Sequence, residues 1–229
     1  MSSIDRARRP DVWLVDMSDP AFAAAAELDL ASSTDRVRAE RMVDPVQARH
    51  LLSRRATLRL VLARYVDVAP AEVRIVTAPG GKPVLIPGPA FSVAHSGDLF
   101  AVAVGASGSI GVDVERLRSV PRAEAIAQRW FGVSEVEALA AVPEDRRDVE
   151  FMRLWTAKEA LAKRHGAGLR LMKGTAGGPP DAALDVRREL ESGRLTSFDP
   201  GAGYLAALAG SERIHEVNVL RAGNDLWTG

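Results

Sequence analysis

The chain has no cysteine among its 229 residues, which excludes disulfide bonds and any zinc or iron–sulfur centre held by thiolates. It also lacks an excess of either charge, because 30 basic residues balance 30 acidic ones. Overall charge therefore predicts neither nucleic-acid nor membrane binding, and a phosphate site would need a local group of basic residues. No apolar stretch is long enough to span a membrane, and the polar opening segment 1–11 does not resemble an export signal. We expect a cytoplasmic protein.

The segment 151–163 is predicted to be a helix, because helix-forming residues run through it and neither Gly nor Pro occurs before Gly166. Trp155, Glu159 and Lys163 follow one another at intervals of four residues, so their side chains lie along one face. A Glu four residues before a Lys is also an ordinary helix-stabilising pair, worth about 0.2–0.5 kcal/mol. The helix alone therefore leaves a functional and a purely structural interpretation open.

A second acidic element lies upstream, where apolar and acidic residues alternate at the end of the segment 109–115. In an extended strand, residues two apart point to the same side, so Asp113 and Glu115 share a face. A solvated strand end would carry the same residues. If Glu159 faces the same point, three carboxylates converge, and such hard oxygen ligands suit Mg2+ whose coordination is completed by water and substrate phosphates.

The two segments together resemble the paired signature of the Sfp-type 4'-phosphopantetheinyl transferases. Residues 111–115 are Gly-Val-Asp-Val-Glu, and about 40 residues later the segment 155–163 is Trp-Thr-Ala-Lys-Glu-Ala-Leu-Ala-Lys. Enzymes of this family move the phosphopantetheine arm of coenzyme A to a serine of an apo acyl or peptidyl carrier protein. The resemblance implies that Asp113, Glu115 and Glu159 hold Mg2+, with Mn2+ as a possible substitute, and that coenzyme A is the substrate.

The resemblance also implies catalytic roles. Attack of the serine hydroxyl on the β-phosphorus of coenzyme A needs charge neutralisation, alignment and removal of one proton. Asp113 belongs to the metal site, Glu159 is expected to take the serine proton, and Lys163 is expected to stabilise the departing 3',5'-ADP. Trp155 is expected to pack the helix.

Arginines are frequent in the first third of the chain, where two helices are predicted on either side of Pro45. Any single one of them could equally be a solvated surface residue. An Arg-His-Leu-Leu sequence begins the second helix, predicted at about 46–66, and is similar to the family region that holds the 3'-phosphate of coenzyme A. The resemblance selects Arg41 and Arg49, whose planar guanidinium groups suit bidentate phosphate binding.

Three more coenzyme A contacts follow from the resemblance. Lys82 lies in a Gly-Gly-Lys-Pro turn, which resembles the family's turn whose lysine faces the nucleotide. His95 and Ser96 end an element similar to the family's Phe-Asn-x-Ser-His-Ser sequence, and we assign His95 to a phosphate. A histidine at a strand end is also often structural. This chain departs from the family by having Ser92, Ala94 and, in the later Gly-Ala-Gly-Leu turn, Ala167.

The expected fold is α+β, with two similar halves at residues 1–108 and 109–229 and the active site in the cleft between them. A faint internal repeat agrees: a long helix, a Gly/Pro loop and an apolar strand occur in each half. The second long helix is predicted at about 148–165, and Ser134 is expected to cap the helix before it. We expect a monomer with this pseudo-twofold arrangement.

Two other functions remain open for the same residues. A Mg2+-dependent phosphohydrolase would also need three carboxylates and basic residues, and a non-catalytic module would bind coenzyme A or a carrier protein without turnover. The basic residues Arg116, Arg118 and Arg122, which follow the acidic strand, are expected to meet an acidic carrier protein. They could equally form a solvated face, in which case the loop 174–180 would be another docking surface.

Overall fold

The computed structural model of the chain describes residues 9–105, 108–166 and 185–227. The strands within these ranges are β1 (Asp11–Asp16), β2 (Ile75–Thr77), β3 (Pro83–Leu85), β4 (Phe91–Ser96), β5 (Leu99–Val104), β6 (Ile110–Arg116), β7 (Leu195–Ser197), β8 (Tyr204–Gly210) and β9 (Asn218–Arg221). The helices are α1 (Pro20–Ala24), α2 (Ser33–Glu40), α3 (Pro45–Ala63), α4 (Ala123–Trp130), α5 (Val133–Ala140), α6 (Glu144–His165), α7 (Val186–Glu191) and α8 (Asn224–Trp227). The segments Ala25–Leu28 and Pro70–Glu72 are short 3-10 helices. In these ranges, no helix has the length and apolar character needed to cross a membrane.

The first sheet has the strand order β4-β5-β1-β9. Strand β5 is antiparallel to both β4 and β1, whereas β9 runs parallel to β1. The C-terminal segment therefore joins a sheet built from the N-terminal part of the chain. Because side chains alternate along a strand, one face of this sheet packs on α3 through residues such as Val15, Val102 and Leu62.

The second sheet has the order β6-β8-β7, and all its pairs are antiparallel. One face packs against the free face of the first sheet, where Leu14 and Ala101 meet Val112 and Leu208. The opposite face packs against α6 through small residues, as in the contact of Ala160 with the β8 segment. The layers are thus α3, the first sheet, the second sheet and α6.

The C-terminal end of α6 is anchored to α7 by a buried ion pair and to the second sheet by a hydrogen bond. Arg164 donates to the Glu189 carboxylate at 2.6 Å and to the carbonyl of Gly210 at 3.0 Å. The guanidinium of Arg194 also binds this carboxylate, at 2.9 Å. Hydrogen bonds from Arg194, with Arg164 adding to them, lower the pKa of Glu189 to about 2. This anchor sets the position of the last two turns of α6.

The α+β class predicted from the sequence is confirmed, and the predicted segments match closely. Pro45 is the first residue of α3, whose cap is Asp44, so the expected break before this helix is confirmed. Helix α6 begins at Glu144, four residues earlier than expected. The expected cap at Ser134 is wrong: Gly132 caps α5, and Glu135 accepts the Gly132 amide at 2.7 Å. The 1–108 and 109–229 boundaries stay a prediction.

Gly111 explains how closely β6 approaches α6. A Cβ atom at this position would overlap with the carbonyl oxygen of Ala160 and the amide of Arg164, both of them backbone atoms of α6. Backbone atoms cannot turn aside as a flexible side chain can. The first glycine of the 111–115 signature is therefore required for packing.

We predict that Gly111→Ala destabilises the protein by about 3 kcal/mol, the upper end of the usual cost of overpacking, because the added methyl group must push β6 and α6 apart. Urea unfolding followed by circular dichroism measures this free energy. Gly105→Ala is the matched control, because its Cβ would meet only the Ile110 side chain, at 3.4 Å. Its free energy of unfolding should change by less than about 1 kcal/mol. Equal losses in the two variants would contradict the packing role of Gly111.

Candidate active site

Asp113 lies on the face of β6 that meets α6, and its side chain is almost completely buried, with 6% of the residue exposed. One carboxylate oxygen, Oδ1, accepts a hydrogen bond from the ammonium of Lys163 at 2.7 Å. The other, Oδ2, is buried and has no hydrogen-bond partner among the described residues. A buried oxygen without a partner is costly, and a cation is the natural group to satisfy it.

The three predicted metal ligands lie close enough for their charges to affect the pKa values of Asp113 and Glu159. Burial raises the pKa of Asp113 to about 7, the ammonium of Lys163 opposes this change, and the charges of Glu159 and Glu115 add to it. Burial likewise raises the pKa of Glu159, with Lys163 opposing and Glu115 adding. The structure thus brings these three carboxylates and Lys163 into one region between β6 and α6.

The donor set fits a hard divalent cation such as Mg2+. The three carboxylates offer only oxygen ligands, and their negative charges repel one another. Asp113 Oδ2 also lacks a hydrogen-bond partner among the described residues. The side chains are not arranged as a finished metal site: within the described ranges no three His, Asp or Glu side chains form a metal-binding group. Glu115 instead accepts hydrogen bonds from Ser96 at 2.8 Å and from Arg118 at 3.0 Å. Both bonds are made to one oxygen, Oε2, so a cation bound through Oε1 of Glu115 would not break them.

Basic groups approach the carboxylates from the first sheet and α3. The pKa of His95 is lowered to about 4, chiefly by partial burial and then by the positive charges of Arg54 and Lys163, although the ring keeps contact with solvent. Arg54 was not selected from the sequence. Burial lowers its pKa, the positive charge of Arg55 adds to this, and its guanidinium makes no ion pair in the part of the chain that the structure describes.

The two arginines selected from the sequence have other neighbours. Arg49 is exposed and pairs with Glu27 at 3.0 Å, and its Nε donates to the carbonyl of Ala23 at 3.4 Å. Arg41 is exposed at the C-terminal end of α2. Binding of the 3'-phosphate by these two residues stays a prediction. The sequence pattern did not distinguish Arg54 from them, because all three occur in the same arginine-rich region.

Lys82 lies in a turn between β2 and β3, as predicted, with the Ala78 amide bonded to the Lys82 carbonyl at 2.9 Å. Its ammonium donates to the backbone carbonyls of Ile110 at 2.6 Å and Lys163 at 2.8 Å. Burial lowers its pKa to about 8. A cavity of about 270 Å³ lies beside this lysine and is lined by Gly80, Pro83, Phe91, Val93, Lys163 and Gly166.

The neighbours of the signature residues on α6 have structural roles. Trp155 packs edge-on against Trp130 and is stacked on Phe151, which confirms that it packs the helix. Lys158 is buried and pairs with Glu135 of α5 at 2.8 Å. The face of α6 that carries Glu159 and Lys163 meets the carboxylates of β6.

The basic residues expected to dock a carrier protein are on the surface, since Arg116, Arg118 and Arg122 are all exposed. Their role in docking stays a prediction. The Gly-Ala-Gly-Leu turn with Ala167 and the loop 174–180 lie outside the described residues.

We predict that the metal-free wild type loses stability relative to Asp113→Asn as the pH rises. The pKa of Asp113 in the folded protein, about 7, exceeds the ordinary value of 3.8, so folding favours its protonated form. Below pH of about 4 the group is protonated in both states, and its cost develops fully as the pH passes about 7. The cost should be about 4 kcal/mol, measured by urea unfolding with a chelator present. Parallel pH profiles for the two proteins would show that Asp113 has an ordinary pKa.

The sequence of the chain is similar to those of known proteins. Residues 109–195 match the family described as the 4'-phosphopantetheinyl transferase superfamily. The chain is 34% identical over 165 residues to slr0495 of Synechocystis sp., a candidate 4'-phosphopantetheinyl transferase by name, covering 70% of this chain and 66% of that one. It is 32% identical to the 4'-phosphopantetheinyl transferase HetI of Nostoc sp., covering 69% of each chain, and 29% identical to Sfp of Bacillus subtilis, covering 63% and 64%. The matches thus span about two thirds of these curated relatives. The chain belongs to the 4'-phosphopantetheinyl transferase superfamily.

Proposed function

We propose that the protein transfers the 4'-phosphopantetheine arm of coenzyme A to a serine of an apo carrier protein and releases 3',5'-ADP. The observation that carries this proposal is the meeting of Asp113, Glu115 and Glu159 with Lys163 between β6 and α6. Relatives named as transferases add support. A phosphohydrolase or a non-catalytic binding module would use the same residues, but no observation favours either one.

In this proposal Asp113, Glu115 and Glu159 would hold Mg2+, or Mn2+ in its place, and the cation would neutralise charge on the pyrophosphate of coenzyme A. The burial that raises the pKa of Glu159 makes it a better base, so it accepts the proton of the serine hydroxyl. The serine oxygen then forms a bond to the β-phosphorus as the bond to the bridging oxygen breaks. Lys163 stabilises the negative charge on the departing 3',5'-ADP.

The first sheet and α3 supply the contacts to the other phosphates. His95, with a pKa of about 4, is neutral near pH 7 and would donate one hydrogen bond to a phosphate oxygen. Arg54 brings a half-buried positive charge to the same region and would bind the pyrophosphate. Lys82 would contact the nucleotide side of coenzyme A, at the cavity of about 270 Å³ that it lines. The Ser96 hydroxyl is bonded to Glu115 and to the Arg116 amide, so its proposed role is to orient Glu115 rather than to bind coenzyme A.

We also propose that residues 1–108 and 109–229 form two similar halves with the active site between them. In support, each half pairs one long helix with one sheet, α3 with the first and α6 with the second. Strand β9 departs from a simple division, because it pairs with β1. A monomeric state and a cytoplasmic location stay predictions.

The function is tested by incubating the protein with coenzyme A, Mg2+ and apo acyl and peptidyl carrier proteins, and by weighing the products. We expect the carrier to gain the mass of phosphopantetheine. Asp113→Ala should slow transfer by at least about 100-fold, because the remaining carboxylates bind a cation weakly. Its fold should survive, as judged by circular dichroism.

Two results would contradict the proposal. A carrier protein that gains no mass with any member of the panel would argue against transfer, especially if the protein released phosphate from coenzyme A instead. An Asp113→Ala variant as fast as the wild type would exclude Asp113 from the metal site.

Contacts to the pyrophosphate and to the 3'-phosphate are distinguished by measuring KM for coenzyme A and for dephospho-coenzyme A, which lacks the 3'-phosphate. A charge-assisted contact is worth roughly 1.5–3 kcal/mol, so Arg54→Ala should raise KM about tenfold or more. Because the pyrophosphate is present in both compounds, both KM values should rise. Arg49→Ala should instead remove the preference for coenzyme A, if this residue binds the 3'-phosphate as predicted.

Arg187→Ala is the control, because Arg187 is exposed on α7 and pairs only with Glu191 in the described structure. It should change neither KM value. If Arg54→Ala matches this control, Arg54 does not bind the pyrophosphate. If Arg49→Ala keeps the preference for coenzyme A, Arg49 does not bind the 3'-phosphate.

A further inference from the structure

Strand β6 has an edge that faces away from its sheet partner β8. The Ser211 amide donates to the Ser109 carbonyl at 2.9 Å, and the Leu117 amide donates to the Gly203 carbonyl at 2.8 Å. In an antiparallel pair, alternate residues direct both backbone groups at the partner strand. The odd-numbered residues of β6 therefore face β8, and the backbone groups of residues 110, 112, 114 and 116 point the other way.

Serine side chains of β4 meet this open edge. The Val112 amide donates to Ser92 Oγ at 3.1 Å, and the Arg116 amide donates to Ser96 Oγ at 3.1 Å. Strands β4 and β6 share no backbone ladder in the described ranges, although they lie side by side. Hydroxyl groups thus replace the carbonyls that a neighbouring strand would offer.

Lys82 completes this arrangement at the start of β6. Its ammonium donates to the Ile110 carbonyl at 2.6 Å and to the Lys163 carbonyl at 2.8 Å. One side chain therefore joins the turn between β2 and β3 to both β6 and the end of α6. Because the group is half-buried, these two carbonyls have no easy replacement in water.

The spacing of the contacts shows that one position lacks a hydroxyl group. Ser92 and Ser96 are four residues apart, as are Val112 and Arg116, and both pairs run in the same direction along the chain. Ala94, which is buried, must therefore lie opposite Val114. Its methyl group can make no hydrogen bond to the Val114 amide.

We propose that Lys82, Ser92 and Ser96 form a side-chain seam that holds β6, and with it Asp113, against the first sheet. The seam determines the register of β6, because a shift by one residue would replace each amide facing β4 by a group that points at β8. The same shift would turn Asp113 away from Lys163. The three seam residues are thus positioning residues for the cleft.

Ser96 has a second positioning role, which rests on the proposed function. Its hydroxyl donates to Glu115 at 2.8 Å while it accepts the Arg116 amide, so it holds the Glu115 carboxylate beside the strand. Arg118 also binds this carboxylate, but from an exposed position. Ser96 therefore orients Glu115 as a metal ligand from a semi-buried site.

The seam is tested by amide hydrogen exchange measured by NMR on the full chain. Ser92→Ala should speed exchange of the Val112 amide by at least about tenfold relative to the Asp113 amide. The Asp113 amide faces β8, so its exchange rate is the internal reference for any opening of the whole strand. Ser96→Ala should do the same at Arg116. Ser53→Ala is the matched control: Ser53 is fully buried, but its hydroxyl has no partner among the described residues. An unchanged ratio in Ser92→Ala would overturn the seam.

Ala94→Ser tests the seam without removing any contact, and so remains informative if Ser92→Ala does not fold. The added hydroxyl should accept the Val114 amide and slow its exchange by at least about threefold. Exchange of Val114 at the wild-type rate in a folded Ala94→Ser variant would show that the register is wrong.

The role of Ser96 is tested by two binding measurements. Ser96→Ala should weaken Mn2+ binding, followed by electron paramagnetic resonance, by at least about threefold, because an oriented ligand is lost. Coenzyme A affinity, measured by calorimetry with a chelator, should not change. Unchanged Mn2+ binding would overturn the positioning role, and weaker coenzyme A binding with it would make Ser96 a coenzyme A ligand. If the wild type transfers nothing to carrier proteins, the proposed function is wrong. The amide exchange result does not depend on transfer and would still support the seam.

Discussion

The close contact between β6 and α6 is the constraint on which the rest of the site depends. Gly111 permits it, since any side chain would overlap with the backbone of α6. Two residues further along β6, Asp113 is consequently buried against Lys163. Burial raises the pKa of this carboxyl group, and one of its oxygens has no hydrogen-bond partner among the described residues. The packing thus favours binding of a cation beside Asp113.

Opposite charges are separated across the junction of the two sheets, although the chain as a whole is neutral. The carboxylates come from β6 and α6, whereas the positive charge of Arg54 comes from α3, beside the neutral imidazole of His95 on β4. A divalent cation is positive and a chain of phosphates is negative. A phosphate ligand with a bound cation would place the cation at the carboxylates and its phosphates near Arg54, and these groups come together only when the two sheets are packed against each other.

Features that depend on neighbouring residues in the chain were predictable from the sequence, whereas features that depend on distant residues were not. The strand at 110–116 and the helix at 144–165 were predictable, because side-chain direction within one element depends only on local backbone periodicity. The packing of Trp155 was predictable for the same reason. The predicted cap of α5 at Ser134 was wrong, because the residue that caps a helix depends on where its first turn begins. The side chain of Glu135 accepts the Gly132 amide and so stabilises a helix start at Gly132.

The sequence by itself determined the family, the α+β class and the positions of the acidic residues on their strand and helix. Only the tertiary structure decided which basic residues accompany them: Arg54 lies near His95, whereas Arg49 pairs with Glu27. It alone showed that Ser92 and Ser96 bind the open edge of β6. The physical reason is that these contacts join residues distant in the chain, so they depend on how sheets and helices pack, which local periodicity does not specify.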